Sequence, residues 1–468
     1  MERTTMAFML QDYAKPKADA HADVQPISAD HYGSCKASTD ETLERYWKTG
    51  LQAIATGQVA VIVLAGGQAT RLGASEPKGT ISMQLHRGAP DSLLYLQAAQ
   101  IAKLQWLAKE HCPDSTPKIE WYIMTSAATA KATQSHITEC VLPATGLELD
   151  QVHFFSQSEM PCFQPDGKLM LAEKHRVATS PDGNGGLYAA LQPLLPEMQQ
   201  SGVSFVHVYC VDNILCRVAD PTFVGFCVES GADCAAKVVM KTDPNEAVGV
   251  VCQVNNVPKV VEYSEISTEL ANQRDTNDPT KLAFRAGNIA NHFFTMEFLK
   301  GVCASPLPFH PAHKKIPFCD DEGNLVKPKT PNGIKMEQFV FDVFRDSKQH
   351  TQNNNETSQN EPAVSTPIQG FFLWGVGRCG GFSPLEDGGA AGVGCFSSCR
   401  RDLWALHTKW IQMNGGTINK AVESNGDAAS ASVPVEIDAK LSYAGEGLKQ
   451  LVDGKSFTAP ICLKWIEI

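Results

Sequence analysis

Residues 64–79, LAGGQATRLGASEPKG, set two glycines, an arginine and a lysine directly after the β-branched run VAVIVL at 59–64. Backbone without side chains at Gly66 and Gly67 can turn sharply and bring its N–H groups against a phosphate chain. Arg71 and Lys78, with Pro77 stiffening the chain before the lysine, add two cations suited to a polyphosphate and to charge developing on it during transfer. The turn is not a Walker P-loop, since no Gly-Lys-Ser/Thr closes it, and it is not a GxGxxG fingerprint. A carboxylate stands in a comparable place: Asp212, in HVYCVDNIL at 207–215, ends a strand. Ligands of doubly wound sheets bind at the carboxyl ends of strands. Asp212 there could hold a hard cation that keeps several waters and bridges phosphates, or simply cap the turn that follows.

The elements that must position these groups follow from composition and periodicity. The chain has 468 residues, 43% hydrophobic and 19% charged, the profile of a folded protein of two or three domains with a large core. Its net charge of −11 argues against nucleic acid or an anionic membrane as partner, so a bound phosphate must meet locally placed cations. Fifteen cysteines, an odd number without CxxC pairs or zinc-module spacing, read as reduced thiols in a cytoplasmic protein. Cys395 and Cys399 in CFSSC form the one close pair, too few ligands for a tetrahedral ion. The N-terminal stretch is too weakly apolar for a signal peptide, and no run approaches the length of a membrane span.

Along the chain, residues 1–37 read as an arm. Ser38 and Glu41 suggest a capping box for a helix carrying Leu43, Trp47, Leu51 and Ile54. Buried strands such as 121–126 and 203–213 then alternate with amphipathic segments such as 92–110. This pattern predicts an α/β fold with a doubly wound, mainly parallel sheet. Residues 333–346 place Met336, Phe339, Val340, Val343 and Phe344 on one helical face, a core stripe. The asparagine-rich segment 348–364 reads as a surface insertion. A second glycine-rich loop, 380–394, precedes a helix from Arg400 to Met413. The expected division is an N-terminal arm and helix (1–57), a catalytic domain (58–405) and a small C-terminal domain of short strands (406–468). No internal repeat is present.

The glycine turn closely resembles the signature of sugar-nucleotide pyrophosphorylases, specifically the eukaryotic UDP-N-acetylhexosamine pyrophosphorylases. Further blocks agree: PDGNGGLYAAL at 181–191, HVYCVDNIL, VVEYSEIS at 260–267, AGNIANHFF at 286–294, FSPL at 382–385 and LSYAGEGL at 441–448. The resemblance runs from about residue 40 to the end. It implies a Rossmann-like nucleotidyltransferase that makes UDP-N-acetylglucosamine and pyrophosphate from UTP and N-acetylglucosamine 1-phosphate, with Mg²⁺, or Mn²⁺ in its place. It also implies roles. Gly66 and Gly67 wrap the UTP phosphates, Arg71 faces the leaving pyrophosphate and Lys78 the reacting centre. Asp212 holds the metal. Gln157 and Asn184 read the uracil and its surroundings. Gly249, Glu262 and Asn288 surround the sugar, with Phe382 as an aromatic at its pocket.

Three departures stand out. Ala69 occupies a position where the family usually has glycine. An ordinary negative φ is expected there, with the methyl narrowing the nucleotide site. Thr179 stands near a uridine-side methionine position. Glu386-Asp387 replace a Lys-Asn pair after FSPL, reversing local charge near the sugar pocket. The competing readings are a pyrophosphorylase for another sugar or for a broad range, a glycosyltransferase, and a nucleotide-sugar binder without catalysis. VDN lacks the second aspartate of the DxD that glycosyltransferases often carry.

Overall fold

The computed structural model describes residues 23–347, 370–388, 392–420 and 433–465. An eleven-stranded sheet organises them. In chain order its strands are β1 (Val24–Pro26), β2 (Tyr32–Ser34), β3 (Val59–Leu64), β4 (Glu120–Thr125), β5 (Val152–Ser156), β6 (Phe205–Cys210), β7 (Cys234–Met240), β8 (Val250–Val254), β9 (Val257–Val261), β10 (Ala286–Thr295) and β11 (Phe371–Val376). The main path runs β2-β11-β7-β10-β6-β3-β4-β5, and β8 joins β10, carrying β1 and β9. Neighbours on that path are parallel except at β10, which is antiparallel to both β6 and β7. The doubly wound, mainly parallel sheet expected from the sequence is the one observed.

Strand β3 shows why the sheet forms. All six residues of VAVIVL are buried, as a central strand covered on both faces requires. Val59, Val61 and Val63 enter one core, and Ala60, Ile62 and Leu64 enter the core on the opposite face. The longer helices are α1 (Asp40–Ala55), α2 (Leu93–His111), α3 (Pro221–Glu229), α4 (Met296–Cys303) and α5 (Phe396–Met413). Helices α1 and α3 cross backbone to backbone: a Cβ on Gly50 would lie 2.0 Å from the Pro221 carbonyl oxygen, and one on Gly225 would lie 1.9 Å from that of Tyr46.

Several expectations change. Thr39, not Ser38, caps α1, its hydroxyl accepting from the Thr42 N–H, while Ser38 Oγ donates to the Ser34 carbonyl. The 333–346 segment is not a helix. Gly333–Glu337 is a strand paired with His310–Lys314, and only Asp342–Asp346 winds, as a 3₁₀ turn. Its core role stands, since Met336, Val340, Val343 and Phe344 are buried. Helix α5 starts at Phe396, four residues before the expected Arg400. Segment 348–364 and residues 1–22 lie outside the described residues, while β1 and β2 join the N-terminal arm to the main sheet. At the other end, α5 runs across the expected 405/406 boundary, and its Leu403, Leu406 and Ile411 share a core with Val435, Ile437 and Val452.

Ala69 has φ −84°, as expected. Its methyl does not wall the nucleotide cleft, however, because the residue is only 1% exposed. The turn explains this. The Ala69 N–H donates to the Glu76 carbonyl, and its own carbonyl accepts from the Leu72 and Ala74 N–H groups, which turns the residue inward. Ala69→Gly removes a buried methyl and adds unfolded-state entropy, so urea unfolding should show a loss of about 1–2 kcal/mol. A variant as stable as the parent would contradict this packing.

Candidate active site

Parallel strands bring their carboxyl ends to one edge, and the antiparallel β10 brings its amino end there. Gly66 and Gly67 follow β3, Ser126 follows β4, Gln157 follows β5, and Asp212 lies two residues beyond β6. The β7–β8 loop, the start of β10 at Asn288, and the segment after β11 that carries Phe382 complete the edge.

The glycine turn closes on itself. Lys78 N–H donates to the Gly67 carbonyl at 3.1 Å, and Gln68 bridges Pro77. Neither Gly66 nor Gly67 is in the left-handed region. Gly66 is required by proximity: a Cβ there would stand 2.3 Å from Gln157 Oε1. Its carbonyl accepts from Ser126 Oγ at 2.8 Å. A Cβ on Gly67 would meet nothing within 4 Å, so that backbone faces open space.

Adjacent β3 and β6 run in register, Leu64 beside Cys210, so their loops meet. Lys78 Nζ lies 3.2 Å from Asp212 Oδ2, with side-chain exposures of 17% and 27%. Arg71 is exposed on its 3₁₀ turn and has no side-chain partner among the described residues. Its carbonyl accepts from the Gly388 N–H at 3.2 Å, which lays the loop after FSPL across the arginine turn. Leu385 N–H donates to the Asp212 carbonyl at 2.9 Å, so Glu386, exposed, sits next to the residue that touches Asp212.

At one end of this charged centre lies a set of amides. Gln157 Nε2 donates to Asp182 Oδ1 at 3.1 Å and to the Gly183 carbonyl at 2.9 Å, which uses both its hydrogens and leaves Oε1 toward Gly66. Burial holds the Asp182 carboxyl above its ordinary pKa. Asn184 Oδ1 accepts from the Val340 N–H at 2.9 Å, leaving its NH₂ as a donor. Thr179 is exposed and donates to Glu159 Oε2 at 2.6 Å, so its hydroxyl is committed within its own hairpin.

The other end is a carboxylate–amide pocket. Asn288 N–H donates to the Gly249 carbonyl at 2.8 Å, and a Cβ on Gly249 would lie 3.1 Å from Glu262 Oε1. Glu262 has its carboxyl raised, first by burial and then by Glu265. Asn288 Oδ1 accepts from the Ala290 N–H at 3.2 Å and lies 3.3 Å from Nε2 of buried His292, which therefore leaves the Asn288 NH₂ to face outward. Burial pushes the His292 pKa down to about 3, so the ring is neutral. Phe382 is joined to this pocket through Arg378, which stacks over its ring at 5.6 Å and pairs with Glu246 in the β7–β8 loop.

The structure thus gathers the candidate residues along one edge as three contiguous groups. Asp182, His292, Arg378 and Glu246 were not singled out from sequence. Arg378 and Glu246 are partners far apart along the chain, whereas Asp182, inside PDGNGG, and His292, inside AGNIANHFF and four residues from Asn288, lay within local blocks.

A doubly wound sheet with a phosphate turn and a lysine–aspartate pair at its carboxyl edge defines a nucleotide-binding α/β protein. Residues 5–356 match the family model described as UTP–glucose-1-phosphate uridylyltransferase. The chain is 42% identical over 464 residues to a mouse UDP-N-acetylhexosamine pyrophosphorylase-like protein 1, covering 96% of this chain and 85% of the relative. It is 38% identical over 451 residues to the UDP-N-acetylglucosamine pyrophosphorylase of Saccharomyces cerevisiae, covering 95% and 86%. The crystal structure of a Trypanosoma brucei uridine diphosphate N-acetylglucosamine pyrophosphorylase superposes with a TM-score of 0.78 at 27% identity, over 95% of this chain and 85% of that one. The chain belongs to this uridylyltransferase family.

Proposed function

We propose that the protein transfers a uridylyl group from UTP to N-acetylglucosamine 1-phosphate, releasing pyrophosphate. The observation that carries this reading is the Lys78–Asp212 pair, set between an amide cluster suited to a base and a carboxylate–amide pocket suited to a sugar. Gln157 Oε1 accepts the uracil N3–H and the Asn184 NH₂ donates to a uridine oxygen. The Gly66–Gly67 backbone meets the phosphates. A sugar-phosphate oxygen attacks the α-phosphorus in line, and the bond to the β-phosphate bridging oxygen breaks. Both nucleophile and leaving group are anionic oxygens, so positioning and charge neutralisation dominate over proton transfer. Lys78 stabilises charge at the reacting phosphorus and Arg71 the departing pyrophosphate. Glu262 accepts from sugar hydroxyls, the Asn288 NH₂ donates to the acetamido carbonyl, and Phe382 walls the pocket.

Among the described residues no three His, Cys, Asp or Glu side chains converge as a metal cage. One partly exposed carboxylate at a strand end suits Mg²⁺, which keeps waters and takes further ligands from phosphate. Asp212 would hold it, and the ion would supply charge neutralisation across the phosphates. Fifteen free thiols, eight of them buried, support a cytoplasmic setting.

The family match favours uridylyl transfer over glycosyl transfer. A second reading, transfer to another hexose 1-phosphate, is favoured by Glu386, an acidic residue beside the Asp212 contact.

Two outcomes test the proposal. Pyrophosphate release from UTP should be fastest with N-acetylglucosamine 1-phosphate across a sugar panel, and Arg71→Ala or Lys78→Ala should each lower kcat by about a hundredfold or more. Folded variants with parental turnover would contradict the assigned roles. Because protonated Glu262 is a poorer acceptor, the KM for the sugar phosphate should rise as pH falls through its raised pKa. Glu262→Gln, measured beside the parent, should lack that added rise; identical profiles would remove Glu262 from the sugar site.

A further inference from the structure

Asn213 follows Asp212 and is 4% exposed. Its side chain reaches the residues on both sides of Phe382. Nδ2 donates to the Gly381 carbonyl at 2.8 Å, and Oδ1 accepts from the Ser383 N–H at 2.9 Å. Oδ1 also accepts from the Leu215 N–H at 3.2 Å, which tightens the Asp212 loop itself. The backbones run alongside: Ile214 N–H donates to the Ser383 carbonyl, Leu385 N–H to the Asp212 carbonyl, and Asn213 bridges Pro384. The two segments are 168 and 170 residues apart in sequence at these side-chain bonds.

The chemistry of the contact is selective. The Asp212 loop must offer a donor to one buried carbonyl and an acceptor to one buried N–H, from a single short side chain. Asparagine does both; a carboxylate lacks the donor, and an apolar residue leaves both groups unmet. A turn-stabilising role alone would need only the bond to Leu215. The other two reach across to Gly381 and Ser383, the residues on either side of Phe382.

We propose that Asn213 is a positioning residue that fixes the aromatic wall at Phe382 to the Asp212 segment, holding the sugar in register with the reacting phosphorus. This rests on the reading of Phe382 as part of the sugar pocket. Asp212 and Phe382 then move as one body, and orientation of the sugar phosphate depends on an amide that touches no substrate. A misplacement of the wall would be felt in use of the sugar phosphate and little in binding of UTP.

The test uses the full-length protein, with Asn213→Ala, Asn213→Asp, Phe382→Ala and the double variant Asn213→Asp/Phe382→Ala, each checked for cooperative thermal unfolding. Asn213→Asp keeps the shape and guards against a collapse of Asn213→Ala. It should lower kcat/KM for N-acetylglucosamine 1-phosphate about tenfold, with the KM for UTP changed less than about twofold. In the Phe382→Ala background the same substitution should cost less than about twofold. Equal losses for UTP and sugar phosphate, or full additivity with a Phe382→Ala variant that itself raises the sugar KM, would overturn the proposal. A parental sugar KM in Phe382→Ala would instead overturn the placement of Phe382, and the proposal with it.

Discussion

The site depends on two opposite charges held 3.2 Å apart at the ends of neighbouring strands. A protein of net charge −11 that handles polyphosphate must place cations locally, and an aspartate beside the lysine keeps that cation oriented before any ligand arrives. The partners come from separate loops, so the pair exists only because β3 and β6 lie side by side and in register. The register in turn follows from the fully buried VAVIVL strand, whose alternate residues are claimed by two different cores. A one-residue slip would exchange those faces and carry the glycine turn away from Asp212.

Charge is concentrated at the middle of the edge, and its flanks are mainly amides. Gln157 has its NH₂ committed to Asp182 and Gly183, and Asn288 has its oxygen committed to Ala290 and His292. Each amide therefore presents one defined end, an acceptor at Gln157 and a donor at Asn288. A neutral, buried His292 suits this task, since its protonation does not change across the working pH range. The exceptions on the flanks are Glu262 and Asp182, carboxyls whose pKa values are raised by burial, and the Arg378–Glu246 ion pair.

Much of this was legible in the sequence because it is local. The glycine turn with Arg71 and Lys78, the strand before Asp212 and the long helix α2 all declare themselves through periodicity and residue type. The 333–346 segment misled because apolar residues at 336, 339, 340, 343 and 344 satisfy a helical spacing. Pairing of Gly333–Glu337 with His310–Lys314 overrode it. The inward methyl of Ala69 depended on Glu76 and Ala74 closing the turn, which composition does not encode. Asn213 bonds the residues on either side of Phe382, and Arg378 pairs with Glu246, across long sequence separations, so no local pattern gives these contacts. Glu386 was visible as a reversal of charge, and its position beside the Asp212 contact came only from the pairing of the two loops.

Lys78 and Asp212 are paired at 3.2 Å, and for the lysine to meet phosphate and the aspartate a cation, the pair must open on substrate. A high-resolution crystal structure with Mg²⁺ and a non-hydrolysable UTP analogue tests it most directly. In that complex Lys78 Nζ should have left Asp212 for a phosphate oxygen, with the Asp212 carboxylate facing the cation. A complex in which the nucleotide is bound and the lysine and aspartate remain paired at their present distance would contradict it.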